Sequence, residues 1–455
     1  MRSQAWPLAA ALLLGPPVLA RAEEPAATLA GAIDSVFLPS AGKPMPGAAV
    51  VVLRDGKVGF SKAYGLASLE TAEANTTRTR FRLASVSKSF TALLVLQLVE
   101  QGRLGLDDTL ERYVPGFVGG DRIRIRHLLS HTAGMPDFVS VEQAMKTPPE
   151  CAPGERLNYS NVGYSVLARV VEKVTGRSYE AQLRAAILDP LGLGDTGVDH
   201  EGPAAKGAAA GYLFTDQGGV VPAEYSAVSG TDAAAGGLHS TAEDMTRWLQ
   251  ALLAGRIVRS ETLALATAPV TLADGHRGGY GYGFMTIPWR GLREFGHGGD
   301  ISGFNTYFAV YPEEHLAVIV LSNVGMRPPG PLPTAGDIAH KAVAAVAGGR
   351  LGPEFPPIAE VELSVLQRYT GRYRLVAPPP VAAVMGDTLE VRLEGGHLLA
   401  SAKQGQAEIY PESQTAFFSK LSPVRITFVP AKDGTCSEGV LSLMGLREFR
   451  LARER

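Results

Sequence analysis

The chain has 455 residues, 45% apolar and 19% charged, with 43 basic against 45 acidic side chains and a formal net charge of −2. That length supplies two domains or more with ample core, and the charge balance gives no electrostatic case for a nucleic-acid or anionic-membrane partner. The two cysteines, Cys151 and Cys436, lie 285 positions apart; one disulfide is permitted outside the cytosol, but two free or buried thiols are the better reading.

Residues 1–22 read as a secretory signal peptide: Met1-Arg2, an apolar Leu8–Leu14 run, Pro16-Pro17 and a cleavage point at Ala20-Arg21-Ala22. The apolar run falls short of the ~18 residues a membrane span needs, and no later one reaches that length. Without a cysteine at the cleavage point there is no lipid-anchor signal, so a secreted or periplasmic protein with no membrane anchor is expected. Its removal leaves 41 basic against 45 acidic side chains.

The following region opens with a helix over Ala27–Phe37. Asp55-Gly56 between two β-branched runs then predicts a hairpin. Phe81–Phe90 (FRLASVSKSF) turns from loop into a strongly apolar helix that Gly102 stops. That helix is apolar nearly all round, as a central buried helix should be. From Gly102 to about Leu193 helical patterns dominate, broken at Thr132–Pro136 and Pro148-Pro149. His127 and His131 are four apart without the acidic partner of an H-E-x-x-H pattern, so they are expected to pack on one helix, and no metal or cofactor is expected. Asn161–Thr175 is an amphipathic helix with Gly176 as its stop. Gly194–Gly230 is weakly patterned and rich in Ala and Gly, a long surface excursion. Ser240 and Glu243 form a capping box for the helix carrying Trp248 and Leu252. Tyr307–Tyr311 and Leu316–Leu321 make a second hairpin, and Ala335–Ala347 a last helix.

This order predicts an α/β fold for residues 23–347: an antiparallel sheet built from both ends of the region, flanked by helices, with a largely helical subdomain between the two sets of strands. Residues 348–362 are a Pro/Gly-rich linker. Residues 363–455 carry short alternating segments between turn residues and predict a small all-β antiparallel barrel or sandwich. Nothing in this last part gathers catalytic residue types, so it reads as an accessory domain.

Three short motifs carry chemistry. Ser85 and Lys88 are three apart at the mouth of the apolar helix and share a face. There the amide of Ser85 points outward from a positive helix end, where an oxyanion can be held. Alone, S-x-x-K is equally well a capping serine and a solvated lysine. Tyr159 and Asn161 begin the Asn161–Thr175 helix, where a packing tyrosine is the bland alternative. His297-Gly298-Gly299 lies in a glycine-rich approach to a strand, a place where another group can come close to the backbone.

As an ordered triple, with FRLASVSKSFTA, IRHLLSHTAGMPDF, PGERLNYSNVGYSVLARVVE, AAGGLHSTAEDMTRWL and FGHGGDISGF around it, the chain resembles the serine β-lactamase and penicillin-binding-protein superfamily. The branch it looks like holds class C β-lactamases, D,D-carboxypeptidases, D-aminopeptidases and related esterases. The likeness spans about Ala32–Gly325, and the C-terminal barrel looks like an appendage of some members. The resemblance implies that Ser85 is the acylated nucleophile, with Lys88 assisting proton transfer and Tyr159 as general base, its phenolate favoured by the adjacent ammonium. It further implies that Asn161 binds the amide carbonyl of the substrate, with Gly298 and Gly299 lining the same site. The amides of Ser85 and Asp300 are the candidate oxyanion hole. The chain departs from the family where His297 replaces the lysine of Lys-Thr-Gly. A histidine near its free pKa of about 6.5 is mostly neutral at pH 7.5, which disfavours efficient penicillin turnover. His297 is instead expected to set the protonation state of Tyr159. The implied activity is a serine hydrolase acting through an acyl-enzyme on a small ester, amide or peptide, plausibly one containing D-amino acids, with weak β-lactamase activity. The alternative is a catalytically poor protein that binds penicillin or cell-wall peptides.

Overall fold

The computed structural model describes residues 26–454, apart from 39–41, 138, 201, 203–204, 216, 229, 326–331, 378–381, 383–384, 404, 422–423, 432–435 and 444. The expected signal peptide over residues 1–22 lies outside the described residues.

Helix α1 (Ala26–Phe37) leads into strands β1 (Ala48–Arg54) and β2 (Lys57–Tyr64). Asp55 and Gly56 between them have φ of 51° and 73°, as a two-residue hairpin turn with positive φ at both positions requires. Strand β3 (Phe81–Arg82) delivers the chain to α2 (Ser87–Glu100). Then come α3 (Ile125–Leu129), α4 (Asn161–Thr175), β4 (Gly197–Val198), β5 (Leu238–Ser240) and α5 (Ala242–Leu253). Strands β6 (Phe295–Ile301), β7 (Phe304–Tyr311) and β8 (Leu316–Ser322) precede α6 (Ala335–Ala347).

The main sheet runs β6-β7-β8-β1-β2, antiparallel throughout. Both faces are covered, so its central strands are apolar without interruption, as a doubly buried sheet demands. Ala49, Val51 and Leu53 of β1 join Ile319 and Leu321 of β8 in the core shared with α2. Ala48, Val50 and Val52 face the other way, with Ile338, Ala342 and Val343 of α6 and Ile33 of α1. Helix α2 sits inside the first of these cores, with every residue from Ser87 to Leu96 buried. Two strands from the front of the chain and three from the back thus clamp the helical insert, as the sequence order implies.

Three local expectations are corrected. The cap of α5 is Thr241, whose hydroxyl accepts from the Asp244 amide at 3.0 Å; Ser240 is still in β5 and pairs with Thr196 at 2.8 Å. His127 is on α3, but the helix ends at Leu129 and His131 takes a left-handed turn at φ 58°, so the two histidines share no helix face. His297, Gly298 and Gly299 lie within β6 rather than in an approach to a strand.

The C-terminal region is a closed antiparallel barrel of eight sequential strands, which settles the choice between barrel and sandwich. They are β9 (Gly371–Val376), β10 (Thr388–Glu394), β11 (His397–Ala402), β12 (Gly405–Pro411), β13 (Ala416–Ser419), β14 (Val424–Pro430), β15 (Cys436–Leu443) and β16 (Arg447–Arg453). Pairing of β9 with β16 closes it, which leaves no unpaired edge. Its interior is a separate core including Tyr373, Phe417, Phe428 and Leu451. Cys151 and Cys436 are free thiols.

Candidate active site

Ser85 lies in a single 3₁₀ turn, Ala84–Val86, that feeds α2. Ala84 has φ 49°, a left-handed conformation that costs a residue with a Cβ about 1–2 kcal/mol, and strain of this kind gathers at functional turns. Three residues on, Lys88 is fully buried. Its Nζ lies 3.1 Å from Ser85 Oγ, 2.8 Å from Asn161 Oδ1 and 2.6 Å from the Ala235 carbonyl oxygen. Burial draws the ammonium down from its ordinary value to about 7, against the opposing pull of the Asp137 carboxylate.

Those three contacts define what the neutral amine does. Asn161 Oδ1 and the Ala235 carbonyl can only accept, so they take the two N–H bonds that a neutral amine retains. The lone pair is left for Ser85 Oγ, the direction in which a general base receives a proton.

The motif spacing brings the second group to the same place. Ser160 caps α4, accepting from the Gly163 amide at 3.2 Å, and the start of α4 puts Tyr159 and Asn161 on either side of Lys88. The Lys88 ammonium lies 4.9 Å from the centre of the Tyr159 ring, and the Tyr159 hydroxyl pairs with that of Ser85. Burial nevertheless pushes the phenol well above its ordinary value, and the Ser85 hydrogen bond offsets only part of this. The expected phenolate is therefore not what the surroundings favour: Tyr159 is held as a neutral phenol, a proton donor.

His297 is in the site but does not touch Tyr159 directly; their ring centres are 6.4 Å apart. Its Nδ1 is 2.6 Å from the Gly298 carbonyl, which can only accept, so Nδ1 carries the proton and Nε2 accepts from the Tyr280 hydroxyl at 2.8 Å. Burial and the nearby Lys88 hold the imidazole at about 3. His297 is thus neutral throughout the physiological range and supplies no charge for a substrate carboxylate.

Backbone geometry supports the candidate oxyanion donors. Along β6 the amides of Gly296 and Gly298 turn away from β7, toward the Met285 carbonyl (3.1 Å) and sulfur (3.5 Å). Alternation in an antiparallel strand sends the Asp300 amide to the same side. Gly299 is pressed so closely on the nucleophile turn that a Cβ there would lie 2.2 Å from the Leu83 carbonyl oxygen and 3.0 Å from the Ala84 Cβ. Gly298 stands beside it on the strand.

Sequence reasoning missed four residues. His131 lies against the Tyr159 ring, tilted by 35° with centres 4.1 Å apart, and accepts from the Ser160 amide at 3.1 Å; its left-handed turn hid it behind a helical spacing. Tyr280 links His297 to the Tyr159 cluster, and the alternation of glycine and aromatics in Gly279–Phe284 was the available signal. Asp137 accepts from the Asn161 amide at 3.0 Å. Arg447, on the barrel, donates to Asp137 Oδ2 at 2.9 Å and to the Tyr159 carbonyl. The barrel therefore does contribute to the site. A separate cavity of about 130 Å³ lies by the β6–β7 turn, lined by residues including Arg80, Arg82, Tyr225 and Phe304, none of which belongs to this constellation.

Comparison with known proteins agrees with this geometry. A family model described as Beta-lactamase matches residues 34–342, more than half of the chain. The chain belongs to the beta-lactamase family. Within this family of serine hydrolases and penicillin-binding proteins, it is 27% identical over 430 residues to Penicillin-binding protein 4* of Bacillus subtilis, covering 85% of this chain and 91% of that one. The octameric penicillin-binding protein homologue from Pyrococcus abyssi superimposes with a TM-score of 0.63 at 25% identity, over 93% of this chain and 99% of the other. The D-amino acid amidase from Ochrobactrum anthropi SV3 shares the beta-lactamase fold at 24% identity and a TM-score of 0.61, over 71% and 99% of the two chains.

Proposed function

We propose that this beta-lactamase-family protein is a secreted serine hydrolase that acylates Ser85 with small esters or with amides and peptides containing D-amino acids. The observation that carries the reading is the orientation of Lys88: two fixed acceptors hold its hydrogens while its lone pair is left for Ser85 Oγ, 3.1 Å away. Near pH 7 this amine takes the Ser85 proton as the oxygen attacks the carbonyl. The amides of Ser85 and Asp300 receive the oxyanion, each such donor contributing about 3 kcal/mol. Tyr159, kept as a phenol, protonates the leaving nitrogen or oxygen, and the Lys88 ammonium then returns its proton to the Tyr159 oxygen, so that both groups are restored while Ser85 Oγ carries the acyl group. Water then completes the second half-reaction with Lys88 again neutral. Asn161 anchors the substrate's amide carbonyl through its side-chain N–H groups, since its Oδ1 is engaged by Lys88. The resemblance to D,D-carboxypeptidases and D-aminopeptidases supports a D-amino-acid substrate, as does the likeness to SurE, whose structure with D-Leu superimposes at 25% identity and a TM-score of 0.66. The Leu8–Leu14 run and the Ala20-Arg21-Ala22 segment support secretion, and no helix among the described residues is long and apolar enough to cross a membrane.

Hydrolysis of a small activated acyl ester by the wild type and by Ser85→Ala at pH 6–9 tests the reading. Turnover should vanish in the variant; equal rates would exclude Ser85 as nucleophile. The neutral His297 favours a second reading, a penicillin or cell-wall-peptide binder with poor turnover. It requires a stoichiometric acylation burst with no steady state.

A further inference from the structure

The barrel reaches the site with a charged side chain, that of Arg447. Arg447 begins β16, and its backbone forms an antiparallel bridge with Asn158, just ahead of Tyr159. Its guanidinium is largely buried: the Arg447 and Asp137 side chains retain 13% and 5% of their exposure. One Asp137 oxygen takes the Arg447 hydrogen bond, and the other takes the Asn161 amide, whose side chain in turn holds Lys88. A buried carboxylate next to a buried amine would ordinarily draw a proton onto that amine.

We propose that Arg447 is a positioning residue of the hydrolase site: by engaging the outer oxygen of Asp137 it weakens the pull of this carboxylate on Lys88, so that the docked barrel tunes the charge of the amine that serves Ser85. This rests on the proposed role of Lys88 as base. The neighbourhood leaves Asp137 as the anion that opposes neutrality. Tyr159, Asn161 and Tyr164 face Lys88 from α4 and its cap. His131 faces it from beyond α3 and His297 from β6; both are held below their ordinary value, partly by Lys88. Around Asp137 stand Arg447, the Asn161 amide and Glu150, whose carboxyl is raised mainly by burial. Without Arg447, the Asp137 charge acts on Lys88 uncompensated.

The test reads Lys88 directly, by pH titration of its side-chain ¹³C resonance in lysine-labelled full-length protein, assigned by its loss in Lys88→Met. The wild type should titrate near pH 7. Arg447→Ala should move the midpoint up by about one unit, and Arg447→Lys by less. Asp137→Asn should move it down, and adding Arg447→Ala to that variant should raise it by less than the same change does in the wild type, because only the direct field of the guanidinium is then lost. A midpoint that is the same in wild type, Arg447→Ala and Asp137→Asn overturns the proposal. If Arg447→Ala does not fold, Arg447→Gln and Asp137→Asn decide the matter by the same signs. In the ester assay, Arg447→Ala should shift the acidic limb and leave the alkaline plateau within a few-fold; loss of the plateau alone would mark Arg447 as merely structural. The resonance titration needs no turnover, so failure of the hydrolase reading in the Ser85→Ala comparison is scored separately.

Discussion

A lysine with no exposed surface and a lone pair left for a serine makes pH the sharpest probe at the scale of single residues. Acylation of Ser85 should rise with pH through about 7 and then level off, because the free amine is the active form; stopped-flow acylation from pH 5.5 to 9 measures this. Lys88→Ala should lower the plateau by about 10²–10⁴-fold, the usual worth of a positioned base. The same shift affects stability. Between pH 7 and the ordinary lysine value, the unfolded chain holds a proton that the folded chain has released, so wild-type stability rises with pH across that window. Relative to Lys88→Met it should gain roughly 1.4 kcal/mol per pH unit there, read from melts of both proteins at pH 7, 8 and 9; parallel melting curves would mean that Lys88 is charged when folded. Ser85 and Lys88 were legible in the sequence because one helical turn joins them. The charge of Lys88 was not, because its other partners, Asn161 and Ala235, lie 73 and 147 positions away.

Local punctuation located the ends of α4 and missed the cap of α5 by one residue, whereas segments shaped by close approach were not read at all. Helix α4 begins and stops where its sequence says, with Gly176 at φ 72°, because cap and stop are properties of a few neighbouring residues. The Gly279–Phe284 segment has no cap or stop of that kind; of its glycines, Gly283 answers to α2, far away in the chain. At Gly283, φ is +83° and a Cβ would lie 2.2 Å from that of Ala92 and 3.3 Å from the Lys88 carbonyl, while at Gly176 a Cβ meets nothing within 4 Å. Both alanine substitutions carry the left-handed penalty of about 1–2 kcal/mol, but only Gly283→Ala also drives a methyl group into the helix that carries Lys88. Urea denaturation should give a loss of about 1–2 kcal/mol for Gly176→Ala and of roughly 3 kcal/mol or more for Gly283→Ala. Activity should fall only in the second; equal losses would mean that the segment yields and does not brace α2.

The molecule as a whole joins two units whose cores were legible from alternation and helical period, the sheet with helices on both faces and the barrel. Their docking was not legible, because a turn and an arginine that take part in it carry no local pattern. Gly279 admits the Gly445 carbonyl, which would lie 2.9 Å from a Cβ there. Leu446 then packs into a small cluster of Leu157, Leu272 and Tyr280, with Tyr159 against it. The barrel interior contributes nothing to that cluster. A carboxylate at position 446 would replace an apolar contact with Leu157, Leu272 and Tyr280, so Leu446→Asp should loosen the seat of Tyr159 without disturbing the barrel core. The expected result is a fall in kcat/KM of roughly tenfold or more, equivalent to about 1.4 kcal/mol, together with a lowered melting temperature. Leu446→Met keeps volume and apolarity and should stay within about twofold. Comparable activity in both variants would mean that Tyr159 is held by His131 and Tyr280 alone and that the barrel bears on the chemistry through Arg447 only. A fall confined to Leu446→Asp would make the turn and the arginine two separate supports that the barrel lends to a site housed in the other domain.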